Sequence, residues 1–597
     1  MKFFSLENKL LVGIFFLFLL IYLVFRAFFL SPYCDEISTL FEYIESNRII
    51  ESTLKDSSAN NHLLNTLLSK FFYFIFGDNF FFLRLPNILA FILYFYSIKH
   101  VVLRCINLKY QFLTFVSLNT IVWIFEYFGY LRGYGLALGM LFCSISFFLS
   151  WLESKTVLKL FYTFLFIWLS IFANLSFFNT SLILFSYAVV LIICNYKKLS
   201  KKDKIQYFIL IISFVIALLP LVVYSFKLKN AGALWWGNLD GLWEGTGHYL
   251  SEITFFITND FIKYLIIFII LIFGILASFK LKKLGLIKFI SSYEGFFYVI
   301  FFGNIVFIEI LAQFFKVNYP RDRAAIQLVP LIIIVYVISL QNIKSFNVLL
   351  CALLFFPFSF LMKMHLDSSV YQNNLRISNK TTQFIKNHLK YDSSYSVYGL
   401  LELPLYYQFR NHEIVKLFNS EKCSNLVESN YIIVENDYRP PSYFKREMID
   451  EISNISIYKN TKGYKYSLVK DTSIHFIKSQ NDLLLFRGTR IDSLFKSDKF
   501  KVEISGKIEF KDLKTPFHLI LTLGDSLNPL HYYHDSDFSK INVGKKQINF
   551  VWNSPVYTLE KGKTDLLIYF WNIDRHFVQY NDLHLRILKV NDNHFPT

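Results

Sequence analysis

The chain has 597 residues, of which 54% are hydrophobic and 19% aromatic, while only 18% are charged. Soluble proteins average about 25% charged residues, so this composition excludes a disordered, collagen-like or disulfide-rich secreted chain and indicates a protein largely embedded in lipid. The net charge of +17 is typical of cytoplasmic Lys and Arg that fix membrane topology, and without a basic stripe beside a soluble binding motif no nucleic-acid partner is expected.

Apolar runs divide the chain into two parts. Residues 1–363 are dense in such runs, whereas residues 364–597 form a polar, water-soluble region. A membrane-spanning helix needs about 20 apolar residues, and by that length we predict about eleven spans. The first is longer than a signal-peptide core and lacks a small-residue cleavage site, so we expect it to be an anchor. The predicted spans are 10–30, 82–103, 110–127, 133–151, 157–173, 177–195, 205–225, 261–279, 295–315, 325–340 and 345–363.

Basic loops predict the orientation of these spans. Loops 196–204 and 280–288 are the most basic short loops, which places them in the cytoplasm. The N-terminus is then cytoplasmic, and residues 31–81, 226–260 and 316–324 are outside together with the whole C-terminal region. We therefore predict an integral, multi-pass protein of the cytoplasmic (inner) membrane with an extracytoplasmic C-terminal region.

The first outer loop, residues 31–81, begins with two adjacent carboxylates, Asp35 and Glu36. Acids also suit the first turn of a helix, so helix capping is an alternative role for this pair. Stretches 37–50 and 62–76 have apolar-rich helical patterns that are too interrupted to span the bilayer. We expect both to lie in the membrane interface.

Four further motifs accompany the acidic pair. His62 follows two asparagines, and Arg84 begins an Arg-Leu-Pro element at the second span. Residues 131–135 read LRGYG at the fourth span, and residues 319–323 read YPRDR before the tenth. In this order, the motifs of residues 1–340 resemble the polyprenyl-phosphate-sugar-dependent glycosyltransferases of fold class C (GT-C), which include protein O-mannosyltransferases and aminoarabinose transferases. The Leu-Leu after His62 differs from the Pro-Pro of many mannosyltransferase relatives.

The resemblance implies a GT-C-like transmembrane catalytic domain over residues 1–363. It implies inverting transfer of a sugar from a polyprenyl-phosphate donor to a glycan, lipid or protein acceptor at the outer face of the bilayer. Asp35 would be the general base, a role that typically contributes about 10²–10⁴-fold. Glu36 would hold a divalent cation or orient its neighbours, and Asp35, Glu36 and His62 are the candidate ligands of such a cation. No other cofactor is implied.

The departing phosphate needs positive charge, and Arg engages phosphate through paired hydrogen bonds. For Arg132, Arg321 and Arg323, anchoring at the lipid headgroups is the alternative, and for His62 it is a helix cap or an interfacial position. Glu126 is expected to pair with Arg132 or orient it. The candidate substrate- and phosphate-binding residues are His62, Arg84, Arg132, Tyr134, Tyr319, Arg321 and Arg323.

The outer loop 226–260 is rich in glycine and contains Trp235, Trp236 and Trp243. These features suit a lid or an acceptor site in which Trp faces stack on sugar. Tryptophan also prefers the membrane interface, so an aromatic belt is the alternative. A disulfide between the two outer cysteines, Cys34 and Cys423, is left open.

The C-terminal region has two patterns. Residues 364–473 are predicted to form an α/β domain in which strand-like pieces (395–398, 431–434) alternate with helix-like pieces (400–410, 443–453). Residues 474–597 are predicted to form a β-sandwich-like domain, with strands at 501–510, 517–523, 547–552, 565–571 and 583–590. Carbohydrate binding and a plain sandwich core are both open for its aromatic residues Tyr532, Tyr533, Trp552, Tyr569 and Trp571.

A polytopic transporter or lipid flippase with an extracytoplasmic sugar-binding domain is the competing function. Such a protein is expected to show internal repeats or broken helices at matching positions. The acids of this chain instead cluster in one outer loop, which favours the transferase.

Overall fold

The computed structural model separates the chain into two compact units. The helical unit comprises Met1–Leu30 and Arg48–Leu366, and the sheet unit comprises Ser31–Asn47 and Asp367–Thr597. The structure describes residues 6, 8–45, 61–234, 237, 239–257, 259–370, 376–388, 392–398, 401–410, 414–421, 429–488, 499–510, 517–524, 531–538, 547–558, 565–573, 575 and 577–591.

Seven helices in the described part of the chain are long and apolar enough to cross a membrane, which confirms the predicted α-helical polytopic fold. Asparagines begin several of them, since the side chains of Asn8, Asn79 and Asn259 each accept a hydrogen bond from a backbone N–H of the first turn. The seven are Lys9–Phe29, Phe80–Cys105, Gly133–Ser154, Leu175–Cys194, Lys201–Asn230, Asp260–Leu284 and Tyr293–Phe315.

The count of eleven spans is not confirmed, because at four of the predicted places the helices are interrupted or have fewer than the 18 residues needed to count as a membrane span. The predicted span 110–127 breaks at Thr120, whose hydroxyl donates back to the Val116 carbonyl oxygen at 2.8 Å. The helices found at these four places are Leu108–Asn119, Val122–Tyr127, Val157–Ala173, Leu328–Leu340 and Phe355–Met362, the last preceded by a 3₁₀ segment at Lys344–Leu354.

Other short helices connect these elements. In the first outer loop, the helix Leu63–Phe76 confirms the predicted helical stretch 62–76. The remaining short helices are Cys34–Thr39, His248–Phe255, Leu286–Ile290, Asn379–His388 and Glu402–Phe409, with π turns at Leu40–Glu45 and Trp243–Gly247 and 3₁₀ turns at Leu175–Phe177, Tyr196–Lys198 and Asp322–Ala325.

The described residues of the sheet unit form three sheets. All five strands predicted after residue 474 are present. The strands are β1 Tyr395–Tyr398, β2 Ile414–Lys416, β3 Asn419–Glu421, β4 Tyr431–Glu435, β5 Phe444–Asp450, β6 Ile455–Asn460, β7 Lys465–Ser479, β8 Leu483–Gly488, β9 Lys499–Phe510, β10 Phe517–Gly524, β11 His531–Asp537, β12 Gln547–Asn553, β13 Tyr557–Thr558, β14 Asp565–Asn572 and β15 Val578–Asn591. The sheets are ordered β3-β1-β4-β6-β5, β11-β10-β14-β8 and β2-β12-β9-β15-β7, and β13 pairs with β9 of the third sheet.

Two details of the sheet unit differ from or refine the predictions. The piece 443–453 is not helical, because β5 pairs antiparallel with β6 along its whole length. Trp552 is a core residue: it is fully buried, and its indole N–H donates to Asn419 Oδ1 at 2.9 Å. Cys423 lies outside the described residues, so the bridge to Cys34 stays open.

Lys416 on β2 is a buried lysine, and replacing it by methionine is expected to stabilise the sheet unit. Burial, reinforced by the charge of Lys501, lowers its pKa to about 7. The unfolded chain therefore binds more protons than the folded chain between pH 7 and about 10, so stability rises with pH across that window. At pH 7, Lys416→Met should raise the free energy of unfolding by roughly 2–4 kcal/mol and flatten this pH dependence.

The measurement is denaturant unfolding of the full-length protein at several pH values. Lys445→Met is the matched control, because Lys445 is exposed on β5, which belongs to another sheet of the same unit. If the free energy of unfolding of Lys416→Met depended on pH in the same way as that of the wild type, the lowered pKa of Lys416 would be contradicted.

Candidate functional site

His62 lies at the start of an outer-loop helix, where its main-chain carbonyl oxygen accepts the hydrogen bond of Thr66 N at 2.8 Å. The preceding Asn61 fixes this start, since its side-chain oxygen accepts from the Thr66 hydroxyl at 2.9 Å. The imidazole is buried, and its Nε2 has no hydrogen-bond partner among the described residues. A helix N-terminus of this kind favours an anion.

The two glycines of the LRGYG motif allow close packing against His62. A Cβ on Gly133 would lie 2.2 Å from the Ala173 carbonyl oxygen and 2.7 Å from His62 Cβ. A Cβ on Gly135 would lie 2.6 Å from the Tyr127 carbonyl oxygen. Only glycine fits at either position, and the close packing sets the Tyr134 ring edge-to-face with the His62 imidazole, with 5.0 Å between centroids.

Two buried arginines act on this histidine. Arg132 immediately precedes the helix Gly133–Ser154, and Arg323 lies on the 3₁₀ turn Asp322–Ala325 with its guanidinium 5.9 Å from the centre of the Tyr134 ring. Burial first, and then the charges of Arg132 and Arg323, lower the pKa of His62 well below its usual value. His62 is therefore neutral near pH 7. We call His62, Arg132, Tyr134 and Arg323 the anion cluster.

The other predicted phosphate ligands have different surroundings. Arg84 is buried, and its Nη1 donates to the Ala27 and Leu30 carbonyl oxygens at 2.9 and 2.8 Å, which caps the end of the first span. The guanidinium of Arg321, which is largely exposed, lies 4.5 Å from the centre of the Tyr249 ring. The Tyr319 hydroxyl donates to Glu309 Oε2 at 2.9 Å. The structure therefore brings together four of the seven candidates.

Glu126, which was expected to pair with Arg132 or orient it, forms an ion pair with Arg26. Arg26 Nη2 lies 2.6 Å from Glu126 Oε1, and the Tyr130 hydroxyl donates to Glu126 Oε2 at 3.2 Å. Sequence reasoning missed Arg26. The available signal was an arginine within an apolar run, because a charge there needs a partner.

The tryptophan loop is described only in part. Trp235 and Trp236 lie outside the described residues, and Trp243 begins the π turn Trp243–Gly247. Its role in a lid or acceptor site stays a prediction.

Beside this turn, Glu244, His248 and Asp260 form the group of potential metal ligands found among the described residues. The Lys263 ammonium lies 2.7 Å from Glu244 Oε2 and 2.9 Å from Asp260 Oδ1. Because the ammonium already supplies the positive charge between these carboxylates, the arrangement fits an ion-pair cluster better than a metal site.

The acidic pair belongs to the sheet unit, in the first turn of the helix Cys34–Thr39. The Glu36 carboxylate is buried and accepts the Tyr33 backbone N–H at 3.3 Å, which is the reciprocal half of a capping box. Asp35 accepts the Thr39 hydroxyl through its main-chain carbonyl oxygen at 2.8 Å. This turn therefore uses the Glu36 side chain for capping and the Asp35 main chain for hydrogen bonding.

No protein-family model and no curated protein matches the chain. Among solved structures, it is similar to ArnT from Cupriavidus metallidurans bound to undecaprenyl phosphate, with 11% identity, a TM-score of 0.44 and coverage of 75% of this chain and 97% of ArnT. The apo state of the same protein gives 10% identity, a TM-score of 0.31 and the same coverage. The arabinosyltransferase EmbB from Mycobacterium smegmatis gives 8% identity, a TM-score of 0.30 and coverage of 98% of this chain and 65% of EmbB.

Proposed function

We propose that the protein is a membrane glycosyltransferase that moves a sugar from a polyprenyl-phosphate donor to an acceptor at the outer face of the cytoplasmic membrane. The observation that carries the proposal is the anion cluster. Two buried guanidiniums and a neutral imidazole at a helix N-terminus are suited to bind a phosphate group. They belong to a unit whose described residues include seven membrane-length apolar helices, which suits a phosphate that carries a lipid tail.

The chemistry we propose is a single displacement at the anomeric carbon of the donor sugar. The acceptor oxygen forms a bond to this carbon while the bond to the phosphate oxygen breaks, and the electron pair leaves with the phosphate. Arg132 and Arg323 stabilise the negative charge that develops on the leaving group. Attack from the face opposite the phosphate inverts the configuration.

Asp35 is proposed as the general base that takes the proton of the acceptor hydroxyl, and Glu36 as the residue that fixes the turn carrying Asp35. The proposal for Asp35 rests on its position in the sequence, directly after the first span. A divalent cation and the nature of the acceptor (glycan, lipid or protein) stay open in this proposal.

The orientation of the protein is also proposed from the sequence. The basic loops 196–204 and 280–288 place the N-terminus in the cytoplasm and the sheet unit outside.

The experiment measures binding of polyprenyl phosphate and transfer of radiolabelled sugar by the purified full-length protein. Arg132→Gln and Arg323→Gln should each lower kcat/KM by about 10–100-fold, because each loses a charge-assisted hydrogen bond to phosphate. Arg104→Gln is the control, since Arg104 pairs with Glu153 at 2.8 Å and should leave transfer unchanged. Translocation of the intact donor lipid without sugar transfer would instead support the transporter or flippase.

A further inference from the structure

Three uncharged polar residues form a contiguous group in the helical unit. Asn174 follows the helix Val157–Ala173, and its Oδ1 accepts from Ser176 N at 2.9 Å. Gln327 donates through Nε2 to the Ser176 carbonyl oxygen at 3.2 Å. We call Asn174, Ser176 and Gln327 the amide shelf.

The amide shelf has hydrogen-bonding capacity that the protein does not use. Asn174 Nδ2, Ser176 Oγ and Gln327 Oε1 are all buried atoms without a hydrogen-bond partner among the described residues. Asn174 and Gln327 are only 5% and 1% exposed. A buried polar group left without a partner destabilises the fold, so three in one group point to a polar ligand. One donor, one acceptor and one hydroxyl that can do both are the groups that bind sugar hydroxyls.

The amide shelf adjoins the anion cluster through two connections. Gly133 packs between the Ala173 carbonyl oxygen and His62, so the residue before Asn174 contacts the wall of the cluster. The 3₁₀ turn that carries Arg323 ends just before Gln327 and contacts the 3₁₀ turn Leu175–Phe177. A sugar phosphate whose phosphate lies on the arginines would therefore place its sugar toward the amide shelf.

Charge restricts the kind of sugar that can bind there. None of the three shelf residues carries a carboxylate, and Arg132 and Arg323 already disfavour a positive charge on His62. The nearby acid Asp322 lies 4.0 Å from Arg321, and its charge adds to the effect of burial in raising the pKa of Glu252. An ammonium group on the sugar would find no carboxylate on the shelf, and the carboxylate of a uronic acid would compete with the phosphate for the two guanidiniums.

We propose that Asn174, Ser176 and Gln327 hydrogen-bond the hydroxyls of the donor sugar and select an uncharged sugar over an amino sugar or a uronic acid. This inference rests on the proposed function, because it assigns the substrate class of that same site.

The test is a competition experiment in which unlabelled lipids displace a fluorescent polyprenyl phosphate from the full-length protein. The lipids are sugar-free polyprenyl phosphate and polyprenyl phosphates that carry mannose, arabinose, aminoarabinose or galacturonic acid. We expect at least one neutral-sugar lipid to bind about 10-fold more tightly than the sugar-free lipid, and both charged-sugar lipids to lack this advantage. Asn174→Ala and Gln327→Ala should remove most of the advantage and leave the affinity for the sugar-free lipid unchanged.

Two further variants control for folding and for charge. Asn195→Ala makes the same substitution at the end of the helix Phe178–Cys194, where the Asn195 amide donates to the Leu191 carbonyl oxygen, and should change none of these affinities. Gln327→Glu keeps the size of the side chain and should shift preference toward the aminoarabinose lipid.

The outcomes separate the two proposals. If the sugar-free lipid does not bind, the proposed function fails. If it binds but the neutral sugars add no affinity, or if Gln327→Ala keeps their advantage, the amide shelf does not recognise sugar.

Discussion

Asp35→Asn is expected to abolish sugar transfer while the protein still folds. The substitution keeps the size of the side chain but removes its ability to accept a proton, and loss of a general base typically costs about 10²–10⁴-fold in rate. The main-chain hydrogen bond between Asp35 O and the Thr39 hydroxyl is unaffected by the change. The measurement is the rate of transfer from a polyprenyl-phosphate sugar by the full-length protein in liposomes, together with its thermal unfolding midpoint.

Glu36→Gln is the matched control for this prediction. Gln retains an oxygen that can accept the Tyr33 backbone N–H, so the capping box survives and transfer should fall by less than about 10-fold. Full activity of Asp35→Asn would exclude Asp35 as the base. Equal losses in both variants would show that the pair acts as one unit.

The seven long helices were predictable because a run of about 20 apolar residues can be recognised in the sequence without knowing which other segments it contacts. The interruption of 110–127 at Thr120 was not, because the apolar run continues through it. The piece 443–453 was predicted as a helix, but pairing with β6 overrides its local preference. The pairing depends on a second segment, β6, so the sequence of 443–453 alone does not predict it.

The anion cluster was predictable only as a set of candidates. His62, Arg132 and Arg323 stood out because they belong to the motifs that resemble GT-C transferases and were predicted at the outer face, but nothing in the spacing distinguished them from Arg84. The distinction arises in three dimensions, where Gly133 brings Arg132 to His62 and Arg84 instead meets the carbonyl oxygens that end the first span. Asn174 and Gln327 gave no signal at all, since isolated amides at helix ends have no characteristic spacing.

The ion pair of Arg26 and Glu126 gives the largest expected effect on stability. These residues are 100 positions apart in sequence, and their side chains are 1% and 6% exposed. Removing one partner deprives the other buried charge of this ion pair, so Arg26→Met or Glu126→Gln alone should lower the free energy of unfolding by about 3–5 kcal/mol. The measurement is reversible unfolding of the full-length protein in mixed detergent.

The double variant Arg26→Met with Glu126→Gln should recover most of that loss, because no unpaired charge remains and the Tyr130 hydroxyl can still bond the new amide. Arg104→Met is the comparison for an exposed pair: Arg104 and Glu153 also lie 2.8 Å apart, but their side chains are 25% and 43% exposed. Arg104→Met should lower the free energy of unfolding by only about 0–1 kcal/mol. If Arg26→Met and Arg104→Met lower the free energy of unfolding equally, or if the double variant loses the sum of the two single losses, the buried pair is not coupled. Strong coupling, in contrast, would mean that the first span is held to the segment leading to Arg132 by one buried charge pair.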